Sequence, residues 1–214
     1  MKAKTLFFIS CLLAISSPLL ANSELDAKKI VTQGNAQGAT ACIACHGQNG
    51  EGNSAAGYPY LSGLPVKYIR RQLHAFRNGT RNNNVMQPIA KNLSDKQIDM
   101  LAAYYTKLTN KKISTRKVTD VGQGTTGNLL ANNGKWDVGL PACFKCHGEG
   151  GSGITPDFPP IVGQPYKYIK DQLVAFNSGK RKNDPVGLMQ AVVKKLNQSE
   201  IEEVARYLSA KNSR

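Results

Sequence analysis

The chain has 214 residues, with 28 Lys or Arg against 14 Asp or Glu, a formal net charge of +14, five Cys and three His. That length suits one large domain or two small ones. The basic balance admits nucleic-acid binding in principle, but no nucleic-acid motif is present. A solvated surface, or a basic face toward anionic lipid or an acidic protein partner, fits better.

Residues 1–21 read as a secretory signal, with Lys2 and Lys4 ahead of a mostly apolar run from Leu6 to Leu20 and Ala21 as the last residue before cleavage. The run is about 15 residues, short of the roughly 20 that span a bilayer. Removing it takes Cys11 and both lysines, which lowers the formal charge from +14 to +12. The product is expected in the periplasm, soluble or peripherally attached to the outer face of the inner membrane.

A first helix is weakly signalled by Ala27, Ile30 and Val31. Next comes T-A-C-I-A-C-H-G (Thr40 to Gly47). In K-Y-I-R-R-Q-L-H-A-F the apolar residues Ile69, Leu73 and Phe76 share one helical face. Met86 follows in N-N-N-V-M-Q-P-I-A, read as an irregular segment. Leu93-Ser94-Asp95-Lys96-Gln97-Ile98 has the layout of a staple, N-cap and capping box, and Ile98, Leu101, Ala102 and Tyr105 continue it as a stripe.

The same order then repeats. P-A-C-F-K-C-H-G (Pro141 to Gly148) copies the first cysteine piece at an offset of 101, and Phe158 to Arg181 copies Tyr58 to Arg81 at 100. Pro59, Gly63, Pro65, Tyr68, Ile69, Gln72, Leu73, Phe76, Gly79 and Arg81 all recur. Three extra residues near Asp184 to Gly187 shift the offset to 103, which aligns Met86 with Met189. Asn197 takes the place of Ser94 as helix cap. We therefore expect two homologous all-α domains, residues 22–108 and 120–214, joined by a polar basic linker at 109–119. Three or four short helices in about 90 residues make a thin core, which leaves room for a cofactor at each centre.

Cys42-Ile43-Ala44-Cys45-His46 and Cys143-Phe144-Lys145-Cys146-His147 match the attachment sequence of a c-type haem. Two thiols about one helical turn apart can add to two vinyl groups on one edge of a porphyrin, and the next histidine can bind the iron. A redox-active disulfide or a zinc site leaves the histidine and the repetition unexplained. A low-spin carrier needs a sixth ligand. Met86 and Met189 correspond across the repeat, whereas Met100 aligns with Glu203 and His74 with Val174. Pro59 and Pro159 stand where a backbone carbonyl could orient each imidazole; a plain rigid turn is the competing reading.

With these motifs assembled, the chain resembles the class I cytochromes c, and most closely the dihaem cytochromes c4, over almost the whole mature length. The resemblance implies two tandem class I cytochrome c folds, each around one covalently bound haem c, with the haems close together. It assigns Cys42, Cys45, His46 and Met86 to haem one and Cys143, Cys146, His147 and Met189 to haem two, with Pro59 and Pro159 orienting the histidines. It also implies a non-enzymatic carrier between a quinol-oxidising (bc1-type) cytochrome complex and a terminal haem–copper oxidase. The cytochrome subunit of a periplasmic dehydrogenase or reductase would carry the same sequence. A dihaem peroxidase would need an open iron position, against which the matched methionines speak. Two departures stand out: Ala191 replaces Pro88, and K-W-D-V-G-L-P before Cys143 has no counterpart before Cys42.

Overall fold

A computed structural model describes residues 18–109 and 122–210. Most of the leader (residues 1–17) and of the linker (110–119) lies outside the described residues. Among the described residues, two sets of five α-helices follow one another. The first comprises α1 (Pro18–Gln33), α2 (Ile43–His46), α3 (Val66–Arg77), α4 (Met86–Lys91) and α5 (Asp95–Lys107). The second comprises α6 (Thr126–Asn132), α7 (Cys143–His147), α8 (Tyr166–Asn177), α9 (Leu188–Val193) and α10 (Gln198–Ala210). Only isolated bridges, and no sheet, occur among the described residues. No described helix is long and apolar enough to cross a membrane.

Helical spacing accounts for the packing. Ala27, Ile30 and Val31 fall on one face of α1 and are buried, as are Ile98, Leu101, Ala102 and Tyr105 on α5. In the first set α5 packs on α1 and α3; in the second α10 packs on α6 and α8. Gly127 lets α6 cross α10 closely, because a Cβ there would sit 2.3 Å from the Glu203 carbonyl oxygen. Both final helices have reciprocal caps. Ser94 Oγ accepts from Gln97 N (3.2 Å) while Gln97 Oε1 accepts from Ser94 N (2.9 Å). Asn197 Oδ1 accepts from Glu200 N and Glu200 Oε2 from Asn197 N, both at 2.9 Å.

Each set has more helices than expected, because the methionine segments are short helices and not irregular chain. The reason is local: Asn83 Oδ1 accepts the N–H groups of Val85 and Met86 (3.0 and 2.8 Å), and Asp184 Oδ2 accepts that of Gln190 (3.1 Å). Polar residues that look like loop composition act here as caps.

The two sets meet about a pseudo-twofold arrangement. Arg81 and Arg181 form an antiparallel bridge, flanked by Asn82 N–H to Lys180 C=O (2.8 Å) and Lys182 N–H to Thr80 C=O (2.7 Å). Gln164 lies buried and bonds both backbone groups of Tyr60, at 3.0 and 3.1 Å, while the Tyr60 hydroxyl donates to Val162 C=O (3.1 Å).

Two stability outcomes follow. Gln164→Leu, which installs the residue of the first copy (Leu64), leaves two buried backbone groups without partners. It should destabilise the docked pair by about 2 kcal/mol, read as a lower urea midpoint at unchanged porphyrin content. Glu200 has its pKa lowered: burial pushes it up, but the Asn197 N–H and Lys135 (2.9 Å) pull it down further. Its contribution is thus present above the ordinary carboxylate range and lost as pH falls through the depressed value. Glu200→Gln should cost about 1 kcal/mol at neutral pH and flatten the acid limb of the stability–pH curve; an unchanged limb would refute the assignment.

Candidate functional site

Each helical set carries a cavity, of about 430 Å³ in the first and 560 Å³ in the second, and residues of the other set complete its lining. These are volumes suited to a cofactor. Cys42, Cys45, His46, Pro59 and Met86 line the first, and Cys143, Cys146, His147, Pro159 and Met189 the second. Residues 40 or more apart in sequence are thus brought to one cavity, twice.

The imidazoles are held alike. His46 Nδ1 lies 2.9 Å from the Pro59 carbonyl oxygen, and His147 Nδ1 lies 2.8 Å from that of Pro159. A carbonyl only accepts, so Nδ1 carries the hydrogen and Nε2 keeps its lone pair. Burial lowers the pKa of both histidines, which favours the neutral ring. Both Cys42 and Cys143 have raised thiol pKa values, chiefly through burial, Cys143 to about 11. The four cysteines among the described residues are all free. No cluster of three or more His, Cys, Asp or Glu able to hold a metal occurs among the described residues.

The two remaining candidates have ordinary packing roles. His74 Nδ1 pairs with Arg77 Nη2 at 2.8 Å on α3, and Met100 packs against the first core from α5.

Between the cavities sits a polar cluster that the motif reading passed over. Arg81 and Arg181 are each 6% exposed. Arg81 donates to Gln72 Oε1 (3.0 Å), Gln172 Oε1 (2.6 Å) and the Tyr168 hydroxyl (3.0 Å). Arg181 donates to Gln172 Oε1 and Gln72 Oε1, both at 2.9 Å, and to the Tyr68 hydroxyl (3.4 Å). Each guanidinium also lies 4.4 Å from the centre of its own Phe76 or Phe176 ring. All these partners are neutral. Burial and the neighbouring Arg81 both weaken the proton affinity of Arg181. A signal for this cluster was available, since Tyr68, Gln72 and Arg81 are polar residues that recur in the repeat. Gln164 gave none, because its counterpart is Leu64.

The cavities are not identical. The Tyr105 hydroxyl is buried beside the Cys42 thiol, where the second cavity has Leu208.

These features fit a covalently attached porphyrin: paired thiols on one wall, a neutral imidazole with a free nitrogen, a thioether on the same cavity, and two buried cations needing anionic partners. The comparisons agree. The family model for cytochrome c matches residues 31–109, and that for cytochrome C oxidase, cbb3-type, subunit III matches 138–208. A thiosulfate dehydrogenase electron acceptor of Thiomonas intermedia is 44% identical, over 80% of this chain and 79% of its own. Cytochrome c4 of Pseudomonas aeruginosa is 34% identical over 94% of this chain and 96% of its own. A solved thiosulfate dehydrogenase (TsdBA) of Marichromatium purpuratum superimposes with a TM-score of 0.80 at 36% identity; the match covers 88% of this chain but only 40% of that one. The chain therefore belongs to the dihaem cytochromes c4 of the class I cytochrome c family, electron-transfer proteins with two covalently bound haem c groups.

Proposed function

We propose that this cytochrome accepts single electrons from a thiosulfate-oxidising dehydrogenase in the periplasm and passes them to a downstream oxidant. The observation that carries this reading is the 44% identity, over four-fifths of the chain, to a protein named for accepting electrons from that enzyme. A solved thiosulfate dehydrogenase that contains this two-domain fold within a longer chain supports it as well. The reading favours a dehydrogenase partner over a quinol-oxidising complex as the donor. A terminal haem–copper oxidase fits as the onward acceptor.

Bound haem supplies a reversible one-electron couple. The residues supply the rest. Cys42 and Cys45, and likewise Cys143 and Cys146, would form the thioether links. His46 and His147 would offer Nε2 to iron, and the Pro59 and Pro159 carbonyls hold each ring in the one tautomer that leaves that nitrogen free. Met86 and Met189 line the same two cavities and would supply the further iron ligand, whose soft sulfur would favour the reduced state relative to a second imidazole. Arg81 and Arg181, which the polypeptide leaves with neutral partners, would offset the negative charge of the porphyrin carboxylates. With two such sites, one chain holds two electrons.

Two measurements test this reading. Holoprotein mixed with thiosulfate and the dehydrogenase of the same host should be reduced by two electrons per chain, with thiosulfate alone inert. Reduction only by quinol-oxidising membranes would overturn it. Met86→His or Met189→His should halve the sulfur-to-iron band of the oxidised spectrum and lower one of the two potentials. If the band survives in full in both variants, the ligand assignment is wrong.

A further inference from the structure

The duplication supplies an internal control: each cavity rim can be compared with its twin. The first rim is polar where it precedes the methionine, with exposed Asn82, Asn83 and Asn84. Its single large apolar residue there is Val85, 47% exposed. The second rim has Asp184-Pro185-Val186-Gly187-Leu188, which includes the three extra residues. Val186 is fully exposed, Leu188 is 40% exposed, and both line the cavity.

Val186 also has φ 49° and ψ 22°. A β-branched side chain in the left-handed region is strained, and a side chain wholly in water gains no packing to offset that strain. Nothing within the molecule accounts for valine at this position.

A second apolar element borders the same cavity. Trp136–Val138 is a 3-10 turn, closed by the Lys135–Leu140 bridge (2.8 and 2.9 Å), and the next residues Leu140, Pro141 and Ala142 line the cavity. Trp136, the single tryptophan of the chain, is 68% exposed and Val138 43% exposed. Lys195 Nζ bonds the Gly139 carbonyl (2.7 Å), which ties this turn to the chain just beyond α9, the helix that Leu188 begins and the Val186 turn precedes. Two exposed apolar elements thus flank one short helix.

Charge follows the same asymmetry. Lys145, Lys182 and Lys195 are exposed on the second domain where the repeat places Ala44, Asn82 and Asn92 on the first. Asp137, Glu149 and Asp184 are the acidic residues among these elements, against exposed Lys145, Lys180, Lys182, Lys194 and Lys195, so the balance stays positive.

We propose that this face of the second domain, built on Trp136, Val138, Val186 and Leu188 within a lysine collar, is where the electron-donating dehydrogenase docks. Electrons then enter the molecule at haem two. The partner surface is an apolar patch with an acidic rim. Apolar contact excludes water around the cofactor edge, while the lysines steer encounter and make it salt-dependent. The inference rests on the dehydrogenase reading above, and a solved chain that joins this fold to a longer thiosulfate dehydrogenase supports that choice of occupant.

Val186→Gly provides the sharpest test. Glycine relieves the left-handed strain, so the variant should be at least as stable as the parent, yet its apolar contact is gone. The second-order rate of reduction by the dehydrogenase with thiosulfate, measured by stopped flow, should fall about tenfold in Trp136→Ala/Val186→Gly. Reduction by dithionite, both potentials and porphyrin content should not change. The first-domain control Val85→Ser should stay within about twofold. Lys145→Glu/Lys195→Glu should reverse or abolish the salt dependence. Unchanged rates in the second-domain variants, or a slowing confined to Val85→Ser, would refute the docking face while leaving the dehydrogenase reading intact. A parent protein that the dehydrogenase does not reduce would remove both. Self-association or anionic-vesicle binding lost in these variants, with reduction unaffected, would assign the face to a second copy or to lipid and overturn the proposal.

Discussion

A buried imidazole whose Nδ1 is committed to a proline carbonyl, at 2.9 Å in one domain and 2.8 Å in the other, is the constraint on which the rest of each domain depends. The bond selects the tautomer, and burial keeps the ring neutral. Only then is the remaining nitrogen free to serve as a metal ligand. The two cysteines, the short helix that carries them and the proline segment are all placed relative to that ring. Helices α3, α5, α8 and α10 supply the apolar walls around it.

The same logic reaches the domain boundary. Two guanidinium groups beside one another, both 6% exposed and bonded only to amides and hydroxyls, would be costly in a polypeptide alone. Their position along the walls of the cofactor cavities makes the cofactor part of the interface chemistry. Holding a cofactor and holding the domains together therefore become one problem, and Gln164 with Tyr60 adds a charge-independent contact to it.

Duplication makes the differences between the halves informative. The ligands, the prolines, and the Tyr, Gln and Arg of the interface are present twice. Tyr105 against Leu208, Arg71 against Asp171, and the second rim with its strained valine are not. Shared features belong to carrying electrons. The unshared ones make the two cavities and their surfaces unlike.

By itself the sequence determined the class and the chemistry: an all-α duplicated chain, the cysteine–histidine pieces, the paired methionines, and the capping boxes of α5 and α10. Each of these is local, resting on helical periodicity, on spacing within a few residues or on comparison of one copy with the other. Tertiary structure decided what depends on meetings across more than 80 residues. Arg81 finding Gln172 and Gln164 reaching Tyr60 leave no local pattern, because their partners lie on the other repeat. The helical methionine segments went unread for a related reason: Asn83 and Asp184 cap helices there, a role decided by backbone geometry and not by composition. Exposure of Trp136 and Val186 likewise belongs to the folded surface alone, since apolar residues in a sequence are expected inside until the fold shows which it could not cover.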